Sequence, residues 1–315
     1  MSDARHAFGG DWTEVKLAAI SAYSQFFTRA IQNQFDLWYV DPFAGTGERT
    51  AVENSGGLFE AEPISQIEKQ YPGSAARALS IEPPFAHLRF GDALQRHARA
   101  LERLVGLFPN RDAKVVHDNA NDFIQRMFST GAWASSASGR GTPRALVFLD
   151  PYGMEVKWRT LEVLAACEKA DVWFLANMKA ATQQLARDGR KLNADKRRSL
   201  REYFGCDDWE ERFYSKTESP DLLGLMEQSK RSASRSEIAD FHRERLGSLF
   251  RYVSTPLSLA VGGLDDYFLL YCMSNNPSDK ARALISRGAE SVITKYRQAS
   301  RHRSALQEGG QRPSY

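Results

Sequence analysis

The chain has 315 residues, of which 42% are hydrophobic and 26% are charged, as is usual for a folded globular protein. Its 42 Lys and Arg against 39 Asp and Glu leave a net charge of +3, so overall charge does not indicate nucleic-acid binding. The three cysteines are far apart, which argues against a disulfide scaffold, and the histidines lack the HxH or HExxH spacing of a metal site. The longest apolar runs are well short of the roughly twenty residues that a membrane span needs. The odd, sparse cysteine count indicates a reducing cytoplasm, so we expect a cytoplasmic protein, and the N-terminus has no apolar signal-peptide core.

Short apolar segments followed by helical patterns predict a parallel sheet flanked by helices. A helix is predicted over 12–32, strands over 37–40, 87–90, 114–117, 145–149 and 171–175, and further helices over 93–105, 122–128 and 161–168. Continuous apolar runs are typical of strands covered on both faces, and their alternation with helices is typical of a doubly wound fold. Most of these runs end at or beside an acidic residue. Ligands of such folds bind at the carboxyl ends of the strands, so we expect a site there.

The second half of the chain indicates an insertion and a late hairpin. The span 178–245 is highly charged and is predicted to be a helical insertion whose Arg and Lys cluster either contacts phosphates or forms a solvated helix face. Strands over 249–253 and 266–273, joined through Pro256 and Gly262-Gly263, predict a hairpin. Together these elements predict a Rossmann-like, seven-stranded class I methyltransferase sheet with an antiparallel last strand. The predicted organisation is an α/β core over 1–177 and 246–296, the insertion over 178–245 and a polar tail over 297–315.

The turn after the first strand carries the most specific motif. It reads Asp41-Pro42-Phe43-Ala44-Gly45-Thr46-Gly47. Glycines directly after a buried strand let the backbone approach a cofactor where any Cβ would collide, although a purely structural turn is the alternative. No glycine follows in the register of the GxGxxG dinucleotide fingerprint, so we favour S-adenosyl-L-methionine over NAD. The residues assigned to this cofactor are Asp41, Pro42, Phe43, Ala44, Gly45 and Gly47.

Two further strand ends supply candidate cofactor ligands. We expect Asp92 to accept hydrogen bonds from the ribose hydroxyls, although a solvated or capping aspartate is the alternative. The competing acid is Glu82, but two prolines follow it, whereas a helix begins directly after Asp92. Asp118 and Asn119 end the third strand, where a carboxylate could accept from the adenine amino group. Asp118 could equally cap the helix that begins near Asn121.

The fourth strand ends in Asp150-Pro151-Tyr152-Gly153, the place of the [D/N]PP[Y/F] motif in amino-methyltransferases that act on nucleic acid. There the polar side chain and a carbonyl accept from the target amine, and the aromatic ring stacks on the base. Such groups orient the nitrogen lone pair, and positioning does most of the work. The second proline is absent here, and a tight turn with an exposed tyrosine is the alternative. We take Asp150, Pro151 and Tyr152 as candidate catalytic residues.

Taken in order, these segments resemble the three-Cys-motif partner proteins (TcmP), predicted methyltransferases found beside a protein with a three-cysteine, radical-SAM-like motif. The resemblance is carried by 12–23, 39–47, 73–85, 118–121, 148–154, 208–214 and 275–277. It implies a separate three-Cys-motif partner. It also implies that the cofactor is lined by Asp41, Gly45 and Gly47, that the ribose is held by Asp92, and that the substrate faces Asp150 and Tyr152.

The chain departs from the family pattern at three places. Gly91-Asp92 replaces an Ile-Glu pair, Gly73-Ser74-Ala75 replaces Gly-Ser-Pro, and 175–179 replaces a Phe-Pro-Leu-Gly-like turn beside the predicted substrate pocket. Two functions therefore stay open. One is an S-adenosyl-L-methionine-dependent methyltransferase acting on an amine, such as a nucleic-acid base. The other is a non-catalytic, methyltransferase-fold subunit of a partner complex. An NAD-dependent oxidoreductase is disfavoured by the glycine spacing.

Overall fold

The computed structural model describes residues 11–55, 65–135, 139–221, 224–261 and 264–309. The first half contains α1 (Asp11–Ile31), β1 (Asp36–Asp41), β2 (Glu48–Ser55), β3 (Ser65–Pro72), α2 (Ser74–Leu79), β4 (His87–Asp92), α3 (Gln95–Gly106), β5 (Ala113–His117), α4 (Ala120–Phe128), α5 (Gly131–Ala134), β6 (Pro143–Leu149), α6 (Trp158–Cys167) and β7 (Ala170–Asn177). The second half contains α7 (Met178–Gln184), a 3-10 turn (Gly189–Lys191), α8 (Ala194–Phe204), α9 (Trp209–Phe213), β8 (Tyr214–Asp221), β9 (Gly224–Arg231), α10 (Arg235–Leu249), β10 (Tyr252–Val253), β11 (Leu257–Val261), β12 (Leu264–Ser274) and α11 (Asp279–Gly309).

The central sheet has the order β10-β12-β7-β6-β1-β4-β5, with β11 also paired to β12. The strands from β5 to β7 are parallel, and β12 runs antiparallel to β7. Both β10 and β11 pair with the outer edge of β12, so the eight strands occupy seven positions. This order and the antiparallel strand are those of the Rossmann-like class I methyltransferase sheet, which confirms the predicted fold class.

Both faces of the sheet are buried, which explains the continuous apolar runs. In β6, Val147 and Leu149 face one core, and Leu146 and Phe148 face the other. The first core lies under α4, α6 and α8 to α10, and the second lies under α1, α2, α3 and α11. Because no strand face is left for polar side chains, the polar groups of the sheet concentrate at the strand ends.

The late hairpin differs from the prediction. The predicted first strand over 249–253 is wrong for most of its length, because Leu249 ends α10 and only Tyr252–Val253 forms β10. The longer antiparallel partner of β12 is β11, which begins directly after Pro256. Proline cannot donate to a ladder, so it interrupts the edge strand between β10 and β11. Residues 262 and 263 lie outside the described residues.

Other segments extend the sequence-based prediction. Two antiparallel hairpins were not predicted, β2–β3 directly after the glycine turn and β8–β9 inside the otherwise helical insertion. The backbone of α11 is helical to Gly309, so the tail predicted from residue 297 is largely helix, and 310–315 lie outside the described residues. Residues 136–138, between α5 and β6, also lie outside them. None of the helices within the described ranges combines the length and the apolar character that crossing a membrane requires.

A buried histidine lies in the core between the insertion and the sheet. His242 of α10 stacks on Tyr203, with ring centroids 5.0 Å apart, and its edge meets Phe174 of β7. Neither ring nitrogen has a hydrogen-bond partner among the described residues. Burial lowers the pKa of His242 from 6.5 to about 3, so the ring is neutral in the folded protein.

We expect His242→Phe to remove a pH-dependent loss of stability. Below pH 6.5 the unfolded chain protonates this histidine while the folded chain does not, so its contribution falls as the pH falls toward about 3. When the pH is lowered from 7 to 5, the unfolding free energy of the variant relative to the parent should increase by roughly 2 kcal/mol. Urea unfolding at both pH values measures this. His117→Gln, at an exposed position, is the control, and a pH-independent difference for His242→Phe would contradict the prediction.

Candidate active site

The carboxyl ends of the central strands bring the predicted acids to one edge of the sheet. Asp41 ends β1, Asp92 ends the neighbouring β4, and Asp150 follows β6 on the other side of β1. The chain reverses its winding direction at β1, and such a switch point opens a crevice outside the carboxyl ends of the strands. Asp118 follows β5 at the end of the sheet, and Asn177 ends β7.

Asp41 is a fully buried carboxylate at the centre of this edge. Its Oδ1 accepts a hydrogen bond of 3.1 Å from the Phe43 backbone N–H. Its Oδ2 is buried and has no partner of normal hydrogen-bond geometry, although the Ser74 hydroxyl is close enough to favour the ionised form. Burial is the main cause that raises the pKa of Asp41 to about 7. The charge of Asp150 adds to this, while the Phe43 N–H and Lys16 act against it.

The two glycines of the turn, Gly45 and Gly47, have different roles. Both have left-handed backbones, with φ of +60° at Gly45 and +77° at Gly47. A Cβ at Gly47 would lie 2.4 Å from Leu104 Cδ2, so the turn packs closely against α3 at this glycine. A Cβ at Gly45 would meet no protein atom within 4 Å, so this glycine borders open space. Cofactor contacts at Pro42, Phe43, Ala44 and Gly47 stay predictions.

Asp92, not Glu82, lies at the carboxyl edge. Its Oδ1 accepts a 2.7 Å hydrogen bond from the Leu94 N–H, and no bond to Oδ2 is found among the described residues. His97 Nδ1 lies 3.1 Å from the same Oδ1 but outside hydrogen-bond geometry. Glu82 precedes β4, is exposed and pairs with Arg111 at 2.5 Å. The ribose assignment at Asp92 stays a prediction, now with one carboxylate oxygen open.

The helix after β5 is capped by Asn119 and not by Asp118. The Asn119 side chain accepts a 2.9 Å bond from the Asn121 N–H at the start of α4. Asp118 accepts from the Asn119 N–H and pairs with Arg126, which is the main cause that lowers the pKa of Asp118. The predicted adenine contact at Asp118 and Asn119 is untested, and the side-chain oxygens of both residues are already engaged locally.

A buried lysine that sequence reasoning did not identify as a site residue completes the edge. Lys16 of α1 is 6% exposed, and its Nζ lies 2.6 Å from Asp150 Oδ2. The same ammonium lies 5.1 Å from the ring centroid of Trp12, which stacks on Phe268 of β12. The available signal was a lysine inside the apolar stripe of the first helix. Such a residue is rarely buried unless it is paired.

Tyr152 stands at the mouth of the edge on a well-anchored turn. Its backbone N–H donates to Glu155 Oε2 at 3.0 Å, and its carbonyl accepts from Asn177 Nδ2 at 2.9 Å. The side chain is exposed. Partial desolvation by neighbouring groups raises the pKa of Tyr152, and the carboxylates of Asp92 and Asp150 raise it further. The predicted ribose acid and the predicted substrate residues therefore lie within electrostatic reach of one tyrosine.

The basic cluster of the insertion is largely neutralised by neighbouring acids. Its arginine–carboxylate pairs are Arg190–Asp188, Arg197–Glu210, Arg198–Asp195 and Arg201–Asp207. Each pair lowers the local positive charge that would attract a phosphate, so the pairs favour the solvated helix face over the phosphate site. Within the described ranges, no cluster of three or more His, Cys, Asp or Glu is arranged to hold a metal ion.

No protein-family model matches the sequence, and no curated protein matches it. Solved structures with a similar architecture include a protein from Legionella pneumophila, 14% identical, with a TM-score of 0.38 over 76% of this chain and 93% of that chain. Another is an S-adenosylmethionine-dependent methyltransferase from Clostridium acetobutylicum, 11% identical, with a TM-score of 0.35 over 81% and 91%. A third is the plantazolicin methyltransferase BpumL in complex with SAH, 9% identical, with a TM-score of 0.29 over 84% and 86%. These similarities are distant, and the fold assignment rests on the strand order.

We expect Asp41→Asn to stabilise the protein increasingly as the pH rises. A carboxyl group whose folded pKa is raised contributes its full stability below pH 3.8 and loses it as the pH rises through about 7. From pH 5 to pH 8, the unfolding free energy of the variant relative to the parent should increase by roughly 2 to 3 kcal/mol. Denaturant unfolding measures this, with the exposed Asp240→Asn as the control. A difference that does not grow with pH would contradict the buried-carboxylate assignment.

Proposed function

We propose that this chain is an S-adenosyl-L-methionine-dependent methyltransferase that acts on an amine, such as the exocyclic amino group of a nucleic-acid base. The observation that carries the proposal is the buried Asp41 carboxylate at the end of the central strand, whose Oδ2 has no hydrogen bond of normal geometry, at the start of the turn that is open at Gly45. A buried, unpaired carboxylate oxygen costs stability, and such groups are concentrated at functional sites.

The residues of the edge fit the polar groups of this cofactor. Asp41 would accept hydrogen bonds from the ammonium of its methionine part, and the nearby Lys16 ammonium would attract the carboxylate. The open Oδ2 of Asp92 would accept from the ribose hydroxyls. Leu94, which follows Asp92 and is exposed, offers an apolar surface for the adenine ring. The open side of Gly45 would let the cofactor lie against the backbone.

Methyl transfer requires only that the chain's own residues orient the substrate. When bound, the cofactor supplies a methyl group on a sulfonium that is already electrophilic. Asp150 and the backbone carbonyls of its turn would accept the amine hydrogens and so direct the nitrogen lone pair. Asn177 holds that turn in place through the Tyr152 carbonyl. The exposed Tyr152 ring would stack on a flat substrate such as a base.

The nucleic-acid substrate and the partner have narrower support. The substrate class rests on the place of Asp150-Pro151-Tyr152 and on the exposed ring, because net charge and the paired arginines of the insertion add nothing to it. The three-Cys-motif partner protein rests on the family resemblance alone. We further propose that this partner presents or selects the amine substrate.

One observation favours the second candidate, a non-catalytic subunit that retains the fold. Asp150 Oδ2 is already engaged by Lys16 in a short ion pair, so half of its carboxylate is closed to a substrate amine. Together with the missing second proline, this suits a site that binds the cofactor without turnover. Release of S-adenosylhomocysteine separates the two candidates.

The cofactor assignment predicts that Gly45→Val weakens S-adenosyl-L-methionine binding at least tenfold. Valine would fill the space beside the turn and would be strained at a φ of +60°. Gly131→Val is the matched control, because Gly131 has a φ of +56° and equally open space but lies in α5, away from the edge. We expect calorimetry to show binding of S-adenosyl-L-methionine but not NAD to the parent, reduced at least tenfold in Gly45→Val only. Equal binding by both variants would refute the assignment of this turn to the cofactor.

The substrate assignment predicts that Tyr152→Ala and Asp150→Ala reduce turnover at least a hundredfold and leave cofactor affinity within about threefold, in line with the loss of a positioning group. The assay measures S-adenosylhomocysteine release with RNA and DNA substrates, with and without the partner. Leu107→Ala is the control for Tyr152→Ala, because Leu107 is a comparably exposed apolar residue after α3. Because Asp150→Ala leaves the Lys16 ammonium unpaired, its thermal stability is measured in parallel. Cofactor binding without turnover by the parent would support the non-catalytic subunit instead.

A further inference from the structure

A pocket of about 340 Å³ lies at the opposite edge of the sheet from the candidate active site. It is enclosed by α1, by the first turns of α11, and by the amino ends of β6 and β7. This volume falls in the range of roughly 300–1,000 Å³ that is typical of small-molecule sites. The proposed methyltransferase site at the carboxyl edge does not use it.

The walls of the pocket are apolar and fixed in place. Phe26, Phe27 and Ile31 of α1 face Leu284 of α11 across the opening. Phe26 lies directly against the backbone of α11, because a Cβ at Gly288 would be 2.2 Å from Phe26 Cε1. The glycine thus lets the aromatic wall pack tightly on the neighbouring helix, and the apolar walls can accept a hydrocarbon chain or ring.

The polar floor contains a guanidinium with several unused hydrogen-bond donors. The hydroxyl of Tyr23 donates to Asp171 at 2.8 Å, so that pair is satisfied. Lys169 is committed to the carbonyls of Ala132 and Ser135. Arg144 donates from Nη1 to the Glu168 carbonyl at 2.9 Å, and no bond from its other nitrogens is found among the described residues.

The charge balance of the pocket favours an anion. The Arg144 guanidinium is half-buried, with Phe35 5.1 Å away, and Lys169 and the exposed Lys280 add two further cations to the lining. The single carboxylate, Asp171, accepts a hydrogen bond from Tyr23 and lies within electrostatic reach of Arg144, so the cations of the lining outnumber it. A guanidinium with unfilled donors is suited to bind a carboxylate in a bidentate manner.

We propose that this pocket binds an elongated apolar molecule that carries one carboxylate, such as a medium-chain fatty acid, with the carboxylate on Arg144. The apolar walls bury the hydrocarbon tail of the ligand, and the guanidinium selects a carboxylate over a neutral or cationic head group. The inference is independent of the methyltransferase proposal, since none of its residues belongs to the carboxyl edge.

The test is calorimetric titration of the full chain with decanoate, and separately with decyltrimethylammonium. We expect saturable binding of one decanoate per chain and at least tenfold weaker binding of the ammonium compound. Arg144→Gln should weaken decanoate binding at least tenfold, whereas Arg287→Gln, an exposed change on α11 outside the pocket, should change it less than twofold.

A second pair of variants tests the location. Ala281→Trp fills the pocket from α11 and should abolish decanoate binding, whereas Ala283→Trp, exposed on the same helix and outside the pocket, should leave it unchanged. Three results would each overturn the proposal: no saturable decanoate binding below its micelle concentration, equal binding of the ammonium compound, or full binding to Ala281→Trp. Thermal unfolding of all four variants verifies that each is folded.

Discussion

Burial of both faces of the parallel sheet is the constraint on which the rest of this structure depends. Helices cover each face, and the side chains of β6 alternate between two apolar cores. A buried polar group without a partner costs free energy, so polar side chains are confined to the strand ends. The carboxyl edge therefore collects Asp41, Asp92 and Asp150, and the amino edge collects Arg144, Lys169 and Asp171.

The carboxyl edge shows what such confinement costs. Asp41 and Asp150 are close enough to raise the pKa of Asp41, and the ammonium of Lys16 lies beside both. Removing water from these charges destabilises the fold unless each charge finds a partner. The ion pair between Lys16 and Asp150 offsets part of that cost, whereas Asp41 Oδ2 has none of normal geometry. This site destabilises the fold and is open beside Gly45. A zwitterionic ligand bound there would supply partners for its charges.

The first helix links the two edges of the sheet. Lys16 lies near its start at the carboxyl edge, and Tyr23 lies two turns further on, over the floor of the opposite pocket. The helix runs along a sheet whose strands carry a polar group at each end, so one element contributes to both sites. The insertion after β7 has a different role. Its arginines pair with its own carboxylates, and its core packs on the sheet through the neutral ring of His242.

The sequence by itself determined the parallel strands, the strand-end acids Asp41, Asp92 and Asp150, and the glycine turn, because these features arise from local apolar runs and the residues directly after them. It could not identify Lys16, since its partner Asp150 lies 134 residues away and only the packing of α1 brings them together. The β2–β3 hairpin was equally hidden, because its strands are polar and show no apolar alternation. The cap at Asn119 in place of Asp118 is a local bond to the Asn121 N–H, which the residue types alone did not predict. The different roles of Gly45 and Gly47, in contrast, were decided by tertiary structure. What surrounds a missing Cβ or a carboxylate depends on contacts between distant segments, which no local pattern records.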